Sequence, residues 1–182
     1  NKSLKSLNKI PNSRISKGDE DKIISFNDLL KDDIVFKSGS KAIKNKEVGH
    51  IVLAGGMGTR FGQKAKAVVK INKTTTFIDK KIQQTEALAE KYDSEIPVFV
   101  MVSFKTEDVI NRHIENNNLN AKTFNQFCSI RLNEEGELFF EKSGSPSLNS
   151  SGHGDVFEAF KNSGFLEEFL NSGGKYLLVS NV

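Results

Sequence analysis

The sequence predicts an α/β fold in which helices flank a mostly parallel sheet. Short apolar runs indicate strands, and the clearest of them, residues 50–54, ends at a pair of glycines. Longer stretches with apolar residues at helical spacing separate these runs, as over residues 76–92. Strands that alternate with helices along a chain are typical of layered folds with parallel strands.

The first part of the chain is polar and is expected to lie outside the sheet. Residues 1–20 are rich in Ser, Asn and Lys, with five basic residues and no acidic residue before Asp19. They predict a flexible basic arm, and contact with an anionic surface is the less favoured alternative. Residues 21–48 predict one short helix over 23–36, followed by a basic loop over 38–46.

The organised core is predicted to run from Gly49 to Val182. Apolar runs predict strands at 50–54, 97–102, 122–127, 137–140 and 176–180. Helical spacing predicts helices at 76–92, 107–116 and 155–170, the last one broken or bent at Gly164. Residues 133–136 predict a turn between two of the strands.

Composition argues against several classes of protein. Five of the 26 Lys and Arg residues precede Asp19. The rest of the chain therefore has 21 basic and 23 acidic residues, and this net negative charge does not suit nucleic-acid binding. Cys128 is the only cysteine, which excludes an internal disulfide, and its apolar neighbours predict a buried side chain. No apolar run approaches the roughly 18–20 residues that cross a bilayer. Without an apolar signal segment at the start, we expect a cytoplasmic protein.

The strongest local signal is a glycine-rich turn after the first predicted strand, with the sequence LAGGMGTRFG over residues 53–62. Glycine lets a ligand approach the backbone closely, and successive N–H groups in such a turn form a concave anion site. Open α/β sheets bind ligands at the carboxyl ends of their strands. The turn therefore predicts a phosphate site, and a tight turn without a ligand is the alternative.

Two familiar phosphate loops do not fit this turn. The sequence contains no GxxxxGK[ST] pattern, which argues against a P-loop NTPase, and the pattern GxGxxG would place Phe61 at its last glycine. Arg60 can add a bidentate contact to phosphate oxygens. Lys64, Lys66 and Lys70 follow, and a lysine here can offset the charge that develops in nucleotidyl transfer. A solvated basic loop is the alternative interpretation.

The turn and the Lys-Ala-Val-Val stretch at 66–69 resemble the signature of the UDP-sugar pyrophosphorylase family, and in particular the UTP–glucose-1-phosphate uridylyltransferases. The resemblance covers residues 49–182. Its other motifs are Thr-Phe-Ile-Asp with Gln-Gln at 76–84, Val-Met-Val-Ser-Phe-Lys-Thr at 100–106, Phe-Asn-Gln at 124–126, Ser-Gly-His-Gly-Asp at 151–155 and Val-Ser-Asn at 179–181. It implies a Rossmann-like, glycosyltransferase-A-like nucleotidyltransferase fold.

The resemblance also implies roles for particular residues. Lys66 is the expected catalytic lysine, preferred to Lys64 because an apolar run follows it as in the family, and Arg60 is expected to act with it on phosphate charge. Asp155 is expected only to cap a helix or to stand in its first turn. Nucleotide contacts are implied for Ala54, Gly55, Gly56, Gly58, Thr59, Gln126 and Gly152, the last two at the uracil. Sugar-phosphate contacts are implied for His153 and Asn181.

The reaction implied by the resemblance is uridylyl transfer from UTP to glucose 1-phosphate, which forms UDP-glucose and pyrophosphate with Mg²⁺ as cofactor. In the family, an aspartate that helps to hold Mg²⁺ follows the last motif, and this chain stops one residue before it, at Val182. We therefore expect a truncated N-terminal portion that is inactive alone. The alternatives are a UDP-N-acetylhexosamine pyrophosphorylase and a non-catalytic nucleotide-binding module.

Overall fold

A four-stranded parallel sheet forms the centre of the computed structural model, which describes residues 25–58, 62 and 64–182. The strands in this part of the chain are β1 Val48–Leu53, β2 Met57–Gly58, β3 Lys64–Ala65, β4 Val98–Val102, β5 Lys122–Asn125, β6 Cys128–Ile130, β7 Leu148–Ser150 and β8 Tyr176–Asn181. The central sheet has the order β5-β4-β1-β8, and every neighbouring pair in it is parallel. The pairs β2–β3 and β6–β7 are antiparallel.

Helices precede and flank this sheet. They are α1 Phe26–Lys31, α2 Asp33–Lys44, α3 Phe77–Lys91, α4 Glu107–Asn116, α5 Val156–Asn162 and α6 Phe165–Asn171, with 3₁₀ turns at Lys66–Val68 and His153–Asp155. Residues 40–182 form a compact unit of their own, which contains the whole sheet and α3 to α6. The predicted α/β class with a parallel sheet is confirmed.

The order of the strands places a topological switch in the middle of the sheet. From β1 the chain moves outward through β4 to β5, and it then returns to β8 on the other side of β1. Residues of α3 and α4 pack on one face, and residues of α5 and α6 pack on the other. Open α/β sheets bind ligands beside such a switch, at the carboxyl ends of the strands. A ligand site is therefore expected at the ends of β1 and β8.

The two faces of the sheet bury different kinds of side chain, and neighbouring strand residues point to opposite faces. The aliphatic face consists of Val52, Ala54, Ala67, Ile78, Ile82, Val98, Val100, Val102, Ile110 and Ile114. The aromatic face consists of Ile51, Phe99, Met101, Phe124, Val156, Ala159, Phe160 and Phe169. Two glycines make room for the Phe169 ring, because a Cβ atom would lie 2.3 Å from it at Gly174 and 2.9 Å from it at Gly49.

A capping box fixes the beginning of α3. The Thr76 side chain accepts from the N–H of Asp79, while the Asp79 carboxylate accepts from the N–H of Thr76 at 2.7 Å. The other oxygen of Asp79 lies 2.7 Å from Nε2 of His113 on α4. The start of α3 is thereby tied both to its own first turn and to the neighbouring helix.

The core elements predicted from the sequence are largely confirmed. The expected helices over 76–92 and 107–116 correspond to α3 and α4, and the expected break at Gly164 separates α5 from α6. Gly164 has φ of 82°, a left-handed conformation that interrupts a helix. Gly136, at φ 86°, closes the predicted turn with an N–H to Asn133 carbonyl bond of 3.1 Å.

The predicted strand at 137–140 is wrong. Leu138 and Phe140 each make one isolated bridge, to Leu132 and Pro146, and no continuous ladder forms. Proline has no N–H to donate, and a turn over Glu141 to Ser145 bends the chain back immediately. The segment is therefore part of an irregular arm between β6 and β7.

The prediction of one helix over 23–36 followed by a loop over 38–46 is also wrong within the described residues. The Asp32 carboxylate accepts from the N–H groups of Ile34 and Val35, which ends α1 and starts α2. The new helix then continues to Lys44. Ala42 is buried there, and the Ser94 hydroxyl donates to the carbonyl of Ile43 at 2.5 Å, contacts that local composition does not reveal.

Cys128 is exposed, contrary to the prediction that its apolar neighbours bury it. It lies on β6, which pairs only with β7, so the surrounding apolar residues are exposed as well. The predicted basic arm over 1–20 lies outside the described residues. In the part of the chain that is described, no helix has the length and hydropathy needed to span a membrane.

Candidate functional site

A cavity of about 320 Å³ opens at the carboxyl ends of β1 and β8. It is lined by Leu53, Ala54, Gly56, Lys66, Ala67, His153, Asn181 and Val182. These residues come from four separate parts of the sequence. The lining includes five residues that the sequence predicted for the site: Ala54, Gly56, Lys66, His153 and Asn181. The cavity lies at the switch point between β1 and β8, where a ligand is expected.

The glycine-rich turn forms one wall of this cavity and becomes a small hairpin. Gly58 pairs with Lys64 across β2 and β3. Thr59 and Arg60, two of the predicted site residues, lie outside the described residues. The carbonyl of Gly55 accepts from the Ser103 hydroxyl at 2.9 Å, which fastens the turn to the end of β4. Gly56 has open space where a side chain would stand, so its backbone is accessible from the cavity.

Lys66 is the lysine that reaches the cavity. It begins the 3₁₀ turn after β3, its Nζ donates to the Val182 carbonyl at 2.5 Å, and it lies 5.9 Å from the centre of the Phe77 ring. Lys64 and Lys70 are exposed and do not line the cavity. Of the three candidate lysines, Lys66 is therefore the one that lines the cavity, and its catalytic role stays a prediction.

Gln126 lies beside the cavity and contacts the glycine turn. Its backbone N–H donates to the Val102 carbonyl at 2.9 Å, and its side chain is buried, with 8% exposed. A Cβ on Gly55 would lie 3.0 Å from the Gln126 amide nitrogen, so a side chain at this position would press on the amide group. The amide oxygen is shielded and has no partner among the described residues. A free amide of this kind can read a base edge, since it offers a donor and an acceptor.

The loop that carries His153 completes the site. Gly152 has φ of 99°, which favours glycine, and it directly precedes the 3₁₀ turn at His153–Asp155. His153 is exposed and lines the cavity. Asn181 ends β8 opposite Leu53 of β1 and also lines the cavity. The predicted sugar-phosphate contacts, His153 and Asn181, are thus brought together with Lys66, whereas Gln126 and Gly152 lie next to the cavity rather than on its wall.

Asp155 makes contacts that the sequence did not predict. It occupies the N-cap position of α5, but its side chain makes no cap hydrogen bond. Its Oδ2 atom instead accepts from the backbone N–H of Phe127 at 2.7 Å and contacts the Ser151 hydroxyl. The partner is a backbone group 28 residues earlier in the chain, and no sequence motif signals such a contact. Phe77, beneath Lys66, was missed for the same reason.

His50 is a buried polar residue on β1, a few residues before the glycine turn. Its Nδ1 lies 2.8 Å from the Thr85 hydroxyl and its Nε2 lies 2.8 Å from the Ser180 hydroxyl. Burial, and to a smaller extent the positive charge of Lys81, lower the pKa of His50 below the usual 6.5. Ser180 directly precedes Asn181, so the neutral histidine supports the strand that delivers Asn181 to the cavity.

The described residues do not by themselves form a magnesium site. No group of three His, Cys, Asp or Glu side chains in this part of the chain could hold a metal ion. The cavity wall offers the Asn181 amide but no carboxylate, and Mg²⁺ in proteins is usually bound through one or two carboxylates together with substrate phosphates.

Comparison with known proteins gives a family match over almost the whole chain. A family model described as UTP–glucose-1-phosphate uridylyltransferase matches residues 2–182. The UTP–glucose-1-phosphate uridylyltransferase of Hordeum vulgare is 35% identical over 148 residues, which covers 78% of this chain and 31% of that protein. The chain spans less than a third of the length of the curated relatives it matches.

Two solved structures from Trypanosoma brucei share the fold. A UDP-glucose phosphorylase matches with a TM-score of 0.64 and 21% identity, covering 76% of this chain and 32% of that one. A uridine diphosphate N-acetylglucosamine pyrophosphorylase matches with a TM-score of 0.68 and 22% identity, covering 87% and 37%. Both identities are below 25%, so these matches establish a shared fold and do not identify the sugar.

Proposed function

The chain belongs to the UTP–glucose-1-phosphate uridylyltransferase family, and we propose that the protein transfers a uridylyl group from UTP to glucose 1-phosphate. The observation that carries this proposal is the cavity at the ends of β1 and β8, where the glycine turn, Lys66, His153 and Asn181 meet. It combines exposed backbone, a cation and two polar side chains at one switch point. These are the groups that binding a nucleotide and a sugar phosphate requires.

The proposed reaction is an in-line displacement at phosphorus. A phosphate oxygen of glucose 1-phosphate attacks the α-phosphorus of UTP, and a new P–O bond forms as the bond from the α-phosphorus to the bridging oxygen of the β-phosphate breaks. Pyrophosphate leaves with that electron pair, and UDP-glucose remains. No covalent enzyme intermediate is needed, so catalysis rests on positioning and on electrostatic stabilisation.

One half of the proposed site acts on phosphate charge. The backbone of Gly55, Gly56 and Gly58 is proposed to contact the nucleotide, and Lys66 and Arg60 are proposed to neutralise the charge that develops in transfer. Lys66 already lies at the cavity wall, where its Nζ donates to the Val182 carbonyl at 2.5 Å. In the proposed complex, Lys66 exchanges that carbonyl for a phosphate oxygen.

The other half of the proposed site recognises the base and the sugar. The unpartnered amide oxygen of Gln126 supports a hydrogen bond to the uracil edge, and Gly152, at φ 99°, leaves space on the other side. Ala54 and Thr59 are proposed as further nucleotide contacts. His153 and Asn181 are proposed to contact the sugar phosphate, as their place on the cavity wall supports.

The decisive test compares Lys66→Ala with Lys64→Ala in the full-length protein that carries this chain. Both changes remove one lysine from the same short segment, but only Lys66 lines the cavity. We expect Lys66→Ala to lower kcat by about 10²–10³, the usual effect of removing a group that stabilises transition-state charge. Lys64→Ala should remain near the parent rate. The readout is pyrophosphate release from UTP and glucose 1-phosphate with and without Mg²⁺, which also tests the proposed magnesium requirement.

A near-normal rate for Lys66→Ala would contradict the role of this lysine. A panel of sugar 1-phosphates in the same assay separates the glucose enzyme from a UDP-N-acetylhexosamine pyrophosphorylase, the class to which one structural neighbour belongs. Binding of UTP without turnover of any sugar would favour the non-catalytic module. We also propose a cytoplasmic location, supported by the single cysteine, which fractionation of cells would check.

A further inference from the structure

Asp155 joins the two segments that the proposed function places at the uracil. Its Oδ2 atom accepts from the backbone N–H of Phe127 at 2.7 Å and contacts the hydroxyl of Ser151. Phe127 directly follows Gln126, and Ser151 directly precedes Gly152. One carboxylate oxygen therefore connects the immediate neighbours of both proposed base-contacting residues.

Further bonds close the same junction and fix it to the sheet. The backbone N–H of Ser151 donates to the Phe127 carbonyl at 3.2 Å, and the Ser151 hydroxyl lies 2.9 Å from that carbonyl oxygen. Asp155 itself precedes Val156, which is buried in the aromatic face. Because the junction is attached to a packed helix, a change at Asp155 alters the loops without removing a core side chain.

A structural role as a helix cap does not account for this carboxylate. Asp155 is at the N-cap position of α5, yet its side chain makes no hydrogen bond to the first turn. Both of its recorded hydrogen-bond contacts go to the loop segments around residues 127 and 151. The side chain therefore acts on the two loops, and the helix is its support.

The polar atoms at this junction are incompletely paired. Within the described residues, the shielded side-chain polar atoms without a hydrogen-bond partner are Gln126 Oε1 and Asp155 Oδ1. Shielded polar atoms in folded proteins nearly always have partners, so each exception needs an explanation. Both exceptions belong to this one junction and are connected through Phe127. An arrangement that served packing alone would not concentrate its unpaired acceptors in one place.

We propose that Asp155 is a positioning residue which sets the distance between Gln126 and Gly152, and so controls affinity and selectivity for the uracil base. The inference rests on the proposed function of this site and adds a residue to it. Asp155 acts through Phe127 and Ser151 and is not itself a base contact. Loss of the junction should let the two base-contacting residues separate, while Lys66 and Asn181 stay in place on the cavity wall.

The test uses Asp155→Ala in the full-length protein. We expect the KM for UTP to rise by about tenfold while kcat stays within about twofold, because binding of the base is weakened and phosphate chemistry is not. The preference for UTP over CTP should fall, since cytosine presents a donor at its N4 where uracil presents an acceptor. The KM for glucose 1-phosphate should rise less, because of its two proposed contacts only His153 lies in the released loop, while Asn181 lies on β8.

Two further variants and one direct probe make the test independent of a folding defect. Ser151→Ala removes one of the contacts to Asp155 and keeps the other, and it should raise the KM for UTP by about threefold. Glu158→Gln is the matched control, because this exposed residue of α5 loses the same charge. Hydrogen exchange at the Phe127 amide of the ligand-free protein should accelerate in Asp155→Ala and not in Glu158→Gln.

The outcomes separate this inference from the proposed function. Faster exchange at Phe127 with an unchanged KM and UTP/CTP preference would overturn the positioning role, as would an equal loss of affinity for both nucleotides and for the sugar phosphate. If the parent protein shows no turnover, the enzymatic proposal fails, and the dissociation constant for UTP, measured by calorimetry, still decides the inference. A tenfold weaker UTP complex in Asp155→Ala supports it, and equal affinity or no binding by the parent protein overturns it.

Discussion

The aromatic face and the aliphatic face of the sheet are stabilised in different ways. The aromatic face is a network of rings, with centroids 4.8–6.5 Å apart in six pairs. The ring of Phe99 has three partners, at 4.8, 5.5 and 6.3 Å, and Phe160 and Phe165 also have three each. Such a face is rigid because large shapes interlock, and each ring adds buried area as well as an edge-to-face contact.

The aliphatic face buries valine, isoleucine and alanine, and directional polar contacts stand beside them. Asp79 and His113 join α3 to α4, with 2.7 Å between their polar atoms. His50 joins β1 to α3 through Thr85 and to β8 through Ser180. Hydrogen bonds therefore hold the helices in position on this face, whereas the aromatic face is held by the packing of its rings.

Each face supports a different half of the candidate site. The aliphatic face carries Phe77 at the start of α3, beneath Lys66, and so supports the phosphate half. The aromatic face carries α5, which follows directly on the turn at His153–Asp155, and so supports the loop next to the base. The difference teaches that the aliphatic face depends partly on polar contacts, which respond to pH, whereas the aromatic face depends on packing, which responds to volume.

The largest expected effect compares Phe99→Ala with Val100→Ala. These neighbours on β4 point to opposite faces and are both buried, with 2% and 0% exposed. Phe99→Ala should lower the free energy of unfolding by about 3–5 kcal/mol, since it leaves a cavity among three rings. Val100→Ala should cost roughly 1.5 kcal/mol, from the two buried carbons it removes. Urea unfolding of both variants measures the difference, and equal losses would contradict the contrast between the faces.

Sequence patterns predicted the parallel sheet, α3, α4 and the break at Gly164, because these depend on local spacing and on glycine. They failed where tertiary contacts decide the outcome. The last turns of α2 contain Ser and Gly residues that favour a loop, but Ala42 is buried there. Cys128 has apolar neighbours, yet its strand has a single partner and stays exposed. Burial depends on which elements pair, and local composition does not contain that information.

The candidate site was predicted in part for the same reason. A glycine turn and a lysine after it can be recognised from the sequence alone, so Gly56 and Lys66 could be predicted. Lys64 and Lys70 fit the same pattern, and they differ from Lys66 in being exposed in the structure. The contact between Asp155 and Phe127 joins a carboxylate to a backbone group far along the chain. Any residue type supplies a backbone N–H, so no pattern of side chains could have predicted this contact.

A smaller effect is expected from Asp79→Ala on the aliphatic face. This change removes the capping box of α3 and the contact to His113 together, and we expect a loss of about 1–3 kcal/mol in the free energy of unfolding. Although burial raises the pKa of Asp79, hydrogen bonds from Thr76 and His113 outweigh it and hold the pKa below 3.8. The stabilisation is therefore complete above pH 3.8 and is lost as the pH falls through the lowered pKa.

The matched control for this prediction is Asp108→Ala. Asp108 is an exposed acid in the first turn of α4, so the change removes the same charge near a helix start without breaking a capping box. Asp79→Ala should also lower kcat more than Asp108→Ala does, because α3 begins at the residue beneath Lys66. Equal stability of the two variants in urea unfolding would mean that the capping box and the Asp79–His113 contact do not contribute to the free energy of unfolding.

The smallest effect expected is the pH dependence that His50 gives to the aliphatic face. Burial and, to a smaller extent, Lys81 lower the pKa of His50 from 6.5 in the folded protein. Below pH 6.5, His50 therefore binds a proton more readily in the unfolded chain than in the folded one. The stabilisation is complete above pH 6.5 and is lost as the pH falls from there through the lowered pKa.

We expect His50→Gln to reduce the fall in melting temperature between pH 7.5 and 5.5, measured by calorimetry, because glutamine does not titrate. The lowered pKa of Asp79 lies below this pH range, so titration of that carboxylate does not contribute to the measured change. His153→Gln, the same change at an exposed histidine, is the control variant. If His50→Gln keeps the parent's pH dependence of stability, burial of His50 is not what makes this face sensitive to acid, and the contrast between a face set by pH and a face set by volume loses its main support.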